Sequence, residues 1–178
     1  TRHGSAFSAV FTILAGLLFL WLLAFVKGYQ SLSFSAASFF SLRGLFDPGM
    51  AALLLFVAFR KLGVAITVPI IAAAPLVSTL MAVLWLQETV TIAILLGTIV
   101  IVAGVVLLSQ GNEKGKVRLP YLLIALLGSI FIGIGGFFAK FAVTKANVPI
   151  EGGAFMFTSA FLLQLLLIIV LRKGNTLP

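Results

Sequence analysis

The sequence predicts an all-α bundle of membrane-spanning helices. Hydrophobic residues make up 62% of the 178 residues and charged residues only 9%, whereas a soluble domain has about 45–50% apolar and about 25% charged residues. The mean hydropathy of +1.26 leaves too few polar groups to cover a surface that faces water. Only helices and closed barrels satisfy their backbone in lipid, and the apolar runs lack the two-residue alternation of barrel strands.

Five uncharged apolar runs come close to or reach the roughly 20 residues that a helix needs to cross a bilayer. The first run ends at a Lys-Gly pair and the last at an Arg-Lys pair, which suits the polar edges of a membrane. These runs predict helices over residues 6–26, 64–86, 91–108, 120–139 and 152–171.

A sixth span is predicted between Phe39 and Lys61, with a bend at Pro48. Asp47-Pro48 has the pattern of an N-cap followed by a first-turn proline. A helix that started there would have only about 13 residues before Lys61, roughly 20 Å, and would be too short to cross alone. The span therefore begins near Phe39 and bends or breaks at Pro48. Arg43 and Asp47 are four residues apart and could pair on a helix, either as an interfacial ion pair or in a functional role.

The run 64–86 contains two prolines that predict a bent helix. Pro75 lacks an N–H and clashes with the carbonyl four residues earlier, and Pro69 adds a second weak point. A helix with both prolines bends easily, which alternating access could use. Ser78 lies on a face of small, slightly polar residues. That face is compatible with a lining of the substrate path or with a helix contact whose hydroxyls bond the backbone.

Two further polar side chains are candidates for the path. Gln164 lies well inside its apolar run, and an amide in lipid seeks a partner, so it faces the bundle or the path. Lys140 either extends to the interface or lines the path. With Asp47 and Ser78, they form the candidate path residues. The GIGG motif at 133–136 lacks the strand–turn–helix setting of a phosphate loop and predicts a tight packing face.

Several function classes are excluded by composition. The chain has no cysteine and a single histidine, His3, so neither a thiolate or histidine metal site nor a Ser-His triad is expected. The net charge of +8 falls almost entirely between apolar runs, which favours anchoring in the lipid bilayer over nucleic-acid binding. No ATP-binding motif or cofactor motif is present, so any transport is coupled to a gradient or to exchange.

A faint internal repeat suggests a larger architecture. GSAF at 4–7 and GGAF at 152–155 share three of four residues, and each of the two helices ends in Lys-Gly. Transporters are often built from such repeats. With this offset each repeat has five helices, and the chain holds the middle six of ten in a protein of roughly 290 residues.

The stretch from position 57 to 108 resembles the end of an EamA-type repeat of the drug/metabolite transporter superfamily. The residues that carry the resemblance are Arg60 at a helix end, Pro75 within a helix, Glu88, and Gly97 and Gly104 seven apart. Glu88 stands in the family's Leu-Gly-Glu element, which reads LQE here. The resemblance implies a ten-helix carrier of two inverted repeats. It divides the chain into a first repeat without its first helix (1–110), a linker (111–118) and the first two helices of the second repeat (119–178).

The function that the resemblance implies is secondary transport of small organic metabolites or drugs by alternating access in the plasma membrane, with no one substrate and no enzymatic activity. Lys140 resembles a lysine often found at the end of each repeat's first helix. Glu88 is either a proton-coupled or substrate-binding carboxylate or a cap of the next helix, and Gly97 and Gly104 predict close helix packing.

Other functions stay open at this point. A non-transporting assembly or sensor subunit would have no accessible cavity, and an intramembrane enzyme would need clustered ionisable groups. If the chain works as a six-helix unit, transport would require a homodimer.

Overall fold

The computed structural model describes residues 4–87, 91–94, 96–97, 99–100, 103–104 and 119–174. Within these residues the chain is helical and contains no strand, which confirms the all-α prediction. The elements are α1 (Gly4–Lys27), α2 (Phe34–Gly44), a kink segment (Leu45–Met50), α3 (Ala51–Leu62), α4 (Val64–Ile71), α5 (Ala74–Leu86), α6 (Leu119–Lys145) and α7 (Pro149–Gly174).

Five helical segments of the described chain are long and apolar enough to cross a membrane. They confirm the polytopic helix bundle. The predicted helix at 91–108 is described only in pieces, which are helical, and the predicted linker at 111–118 lies outside the described residues. The five segments are Val10–Lys27, Phe34–Leu62, Val64–Leu86, Leu119–Lys145 and Pro149–Val170.

The second of these segments is one kinked span made of α2, the kink segment and α3. It starts at Phe34, five residues earlier than expected, where the Ser33 hydroxyl accepts a hydrogen bond from the Ala36 amide at 3.3 Å. The kink is centred on Asp47, whose φ of −137° and ψ of 112° are not helical. Pro48 follows it and has no N–H for the helix ladder. The 29-residue length lets the segment cross in spite of the kink.

The third segment is interrupted where α4 meets α5. Ala72 and Ala73 form a turn, and the Ala73 amide bonds the Ile70 carbonyl, three residues back, at 3.1 Å. Pro75 lies in the first turn of α5, where a missing N–H costs least. A single residue, Gly63 with φ of 81°, joins α3 to α4, and this left-handed conformation is one that glycine adopts readily.

The kinked span lies at the centre of the bundle. It packs against α6 on one side and α7 on the other, while α1 packs on α7 and the α4–α5 pair packs on α6. Lipid is as apolar as a helix surface, so close van der Waals packing of small residues holds such helices together. The fully buried apolar residues are accordingly small: Ala24, Ala36, Ala58, Ala125, Ala142, Ala154 and Ala160 are all 0% exposed.

Candidate functional site

Four glycines of α6 let two interrupted spans approach its backbone. A Cβ at Gly133 would lie 2.7 Å from the Ala74 carbonyl oxygen and 2.5 Å from Val77 Cβ, at the start of α5. A turn and a half earlier, a Cβ at Gly128 would lie 2.8 Å from Leu55 Cδ2 on α3. A side chain at position 133 would push α5 away, because it would meet backbone and Val77 Cβ, whereas at position 128 the end of the Leu55 side chain could move aside.

Two of the predicted path residues, Asp47 and Ser78, lie against the other two of these glycines. A Cβ at Gly135 would lie 2.7 Å from Asp47 Cβ, and a Cβ at Gly136 would lie 3.4 Å from Ser78 Cβ. The kink of the second span and the first turns of α5 therefore meet the GIGG motif within one turn of α6. Gly128 and Gly135, seven residues apart, lie on the side of α6 that meets the kinked span, and Gly133 and Gly136, three apart, lie on the side that meets α5. The name "glycine face" is used below for the surface that these four glycines form together.

The polar groups at the glycine face differ in how they are satisfied. The Ser78 hydroxyl donates to the Pro75 carbonyl at 3.0 Å, a bond that is compatible with either role expected for it. Asp47 is half-buried and interacts electrostatically with Arg43. Lys140, one turn beyond Gly136 on α6, is exposed.

Aromatic rings border the glycine face on the side of α2. Phe138 of α6 lies between Phe39 and Phe46 of the kinked span, with ring centroids 6.4 Å and 5.7 Å away. Phe141 stacks on Phe39 at 5.4 Å, and Phe137 contacts both Phe138 and Phe141. These contacts form a continuous aromatic wall beside the kink.

Gln164 lies on the opposite side of the kinked span from the glycine face. Its side chain is 0% exposed, and its Nε2 donates to the Gly49 carbonyl at 3.1 Å. Its Oε1 has no hydrogen-bond partner among the described residues. The four candidate path residues are thus not one cluster: Asp47 and Ser78 lie against neighbouring glycines of α6 from two different spans, Lys140 lies a turn away from Gly136, and Gln164 contacts the kink from α7.

Two partly buried polar contacts of α7 were not predicted from the sequence. Glu151, in its first turn, is 5% exposed, and its Oε1 accepts a hydrogen bond from the Gln30 amide at 3.1 Å. Thr158 accepts from Trp21 Nε1 of α1 at 3.0 Å. An acid in the first turn of an apolar helix is the sequence signal for the first contact. Nothing in the sequence pairs it with a loop 121 residues away.

The remaining motif residues are distributed around the bundle. Arg60 is exposed at the end of α3, and Pro69 is buried within α4. No described atom lies within 4 Å of a Cβ at Gly97 or Gly104, so the close packing expected for them is not formed within the described part of the chain. Glu88 lies outside the described residues. No group of three metal-binding side chains occurs among the residues that were described.

A bundle of apolar helices, two of them interrupted and packed on the glycines of a third, defines a polytopic membrane protein. The model of the EamA-like transporter family matches residues 1–110. The chain therefore belongs to this family of transporters, and the resemblance seen in the sequence is confirmed. No curated protein and no solved structure matches the chain.

Proposed function

We propose that the protein is a secondary carrier that moves small organic metabolites or drugs across the plasma membrane by alternating access. The observation that carries the proposal is the convergence of two interrupted spans on the glycine face. Asp47 lies where the kinked span meets Gly135, and Ser78 lies where α5 meets Gly136. Transport is coupled to a gradient or to exchange, and the complete carrier has ten helices in two inverted repeats.

Interrupted helices support this function because breaking a helix in lipid costs free energy. Each break leaves backbone groups that need another partner in a solvent without hydrogen bonds. Transporters use such breaks at substrate sites and as bending points. A role in assembly alone does not explain two breaks packed on the glycines of one helix.

The glycine face supports movement as well as contact. Glycines have no Cβ to interlock with a neighbouring helix, so at Gly133 and Gly136 the backbone of α6 presents no side chain that α5 would have to pass. In this proposal Asp47 and Ser78 contact the substrate, and Lys140 lies near the opening of the path. Gln164 stabilises the kink by donating a hydrogen bond to the Gly49 carbonyl. It does not contact the substrate.

The test uses the absence of cysteine from the sequence. A Ser78→Cys variant in membrane vesicles is treated with a membrane-impermeant maleimide from each side. Leu80→Cys is the matched control, because Leu80 is at nearly the same depth on α5 but 59% exposed at the outer surface of the bundle, where lipid would surround it. Thiolate, the reactive form, requires water.

We expect the thiol of the Ser78→Cys variant to react from one side and the preferred side to change under an opposed substrate gradient, while the thiol of the Leu80→Cys control stays unreactive. Proteoliposomes loaded with radiolabelled organic cations, carboxylates and zwitterions provide the substrates, and at least one class should show counterflow. An unreactive thiol at position 78 together with no counterflow would instead favour a non-transporting assembly or sensor subunit.

A further inference from the structure

Arg43 is a charged residue within a membrane-spanning segment. It lies nine residues after Phe34, the start of a 29-residue span, so it is about 14 Å from that end of a helix roughly 43 Å long. A hydrocarbon core of about 30 Å, centred on such a span, begins about 7 Å from each end. Arg43 is therefore inside the core, where ionisable residues are costly and usually functional.

The guanidinium of Arg43 has a hydrogen-bond donor that no described residue accepts from. Its Nε is buried and has no hydrogen-bond partner among the described residues, although arginine has five N–H donors. The side chain as a whole is only half-buried, so it is not sealed inside the bundle. Asp47 is near enough to interact with it electrostatically. Because the buried Nε has no described partner, part of the hydrogen-bonding capacity of the guanidinium is not used by the described residues.

The surroundings of Arg43 are apolar and aromatic. Phe39 and Phe46, four residues before and three after it, lie on the same side of the helix, and both rings pack against Phe138. A Cβ at Gly135 would lie only 3.5 Å from the Arg43 carbonyl oxygen. The residue therefore stands where the glycine face of α6 meets the aromatic wall.

We infer that Arg43 binds the carboxylate of a transported monocarboxylate whose apolar or aromatic body packs on Phe39, Phe46 and Phe138. The inference rests on the proposed function, because it assigns a substrate class to the same path. The planar guanidinium suits two-point binding of a carboxylate. One guanidinium balances one negative charge, and an unbalanced charge is costly in an apolar site, so a phosphate dianion should bind less well than a carboxylate.

The first test is protection of Arg43 from phenylglyoxal, an arginine reagent, in the purified wild-type protein. Benzoate is the carboxylate probe. Benzamide has the same shape without the charge, and phenyl phosphate is the dianion. Mass spectrometry reads each arginine separately, so Arg60, exposed at the end of α3, serves as an internal control.

We expect benzoate to slow the modification of Arg43 several-fold and to leave Arg60 unchanged, while benzamide and phenyl phosphate protect little. Equal protection by benzoate and benzamide, or an Arg43 that never reacts, would overturn the inference. Protection by phenyl phosphate as strong as that by benzoate would also overturn it, because it would show a general anion site.

Variants test the same site through transport. Arg43→Gln should weaken benzoate binding about 10- to 100-fold, the usual effect of losing hydrogen bonds to a charged group, and Arg43→Lys should retain part of the affinity. Thermal unfolding separates misfolded variants from weak binders. If other substrates are transported but benzoate protects nothing, the carboxylate site is wrong and the carrier stands. If benzoate protects but nothing is transported, the site stands and the carrier function is wrong.

Discussion

Substitution of Gly133 by alanine perturbs the contact between α5 and α6 most directly. The added methyl group would lie 2.7 Å from the Ala74 carbonyl oxygen and 2.5 Å from Val77 Cβ. The Ala74 oxygen belongs to backbone and cannot rotate away, so α5 has to move. Overpacking of this kind costs about 1–3 kcal/mol, whereas alanine in a helix interior gains about 0.5–1 kcal/mol over glycine. We expect a net loss of up to about 2 kcal/mol.

Gly136→Ala is the matched control on the same helix. Its methyl group would lie 3.4 Å from Ser78 Cβ, close to an ordinary contact, so the gain in helix propensity should remain. The two variants should therefore differ by about 1–3 kcal/mol, or several degrees in the midpoint of thermal unfolding in detergent. Gly133→Ala should also slow transport. Equal midpoints for the two variants would refute the close approach of α5 to α6.

Three further substitutions separate movement from stability. Pro48→Ala restores an N–H to the kink, so transport should fall while the unfolding midpoint stays or rises; Pro149→Ala, at the exposed start of α7, should leave transport unchanged. Trp21→Phe keeps an aromatic ring but loses the hydrogen bond to α7, and should lower the free energy of unfolding by about 0.6–1 kcal/mol. The control is the same substitution at Trp85, which is 68% exposed and should have no effect. Gln164→Leu leaves a backbone carbonyl at the kink without its donor and should lose about 1 kcal/mol in the same unfolding assay, and an unchanged midpoint would argue against that bond.

The composition and the lengths of the apolar runs predicted most of the fold, because a chain without enough polar surface can adopt few architectures in lipid. The distance from Asp47 to Lys61 predicted a span that starts before Pro48, since the part after it is too short to cross. The structure has this kinked span from Phe34 to Leu62. The predicted start was five residues late because the serine-rich stretch before Phe39 looks polar, although Ser33 caps a helix there.

Which residues come together at the site was harder to predict from the sequence. Helical periodicity relates residues on one straight helix, and the non-helical Asp47 within the kink breaks that relation between α2 and α3. Asp47 contacts α6 and Gly49 contacts α7, and spacing alone does not show which helices the two residues meet. The GIGG motif did predict a tight packing face, but not which helices it would contact.

The central claim is that α5 moves against the glycine face of α6 during transport. A Cβ at position 136 would lie 3.4 Å from Cβ of residue 78, near the separation that a disulfide needs. The most direct measurement is therefore transport by the Ser78→Cys, Gly136→Cys double variant before and after reduction, with each single variant as control. If α5 moves in this way, the oxidised protein should be inactive and reduction should restore transport. Undiminished transport by the fully oxidised protein would contradict it.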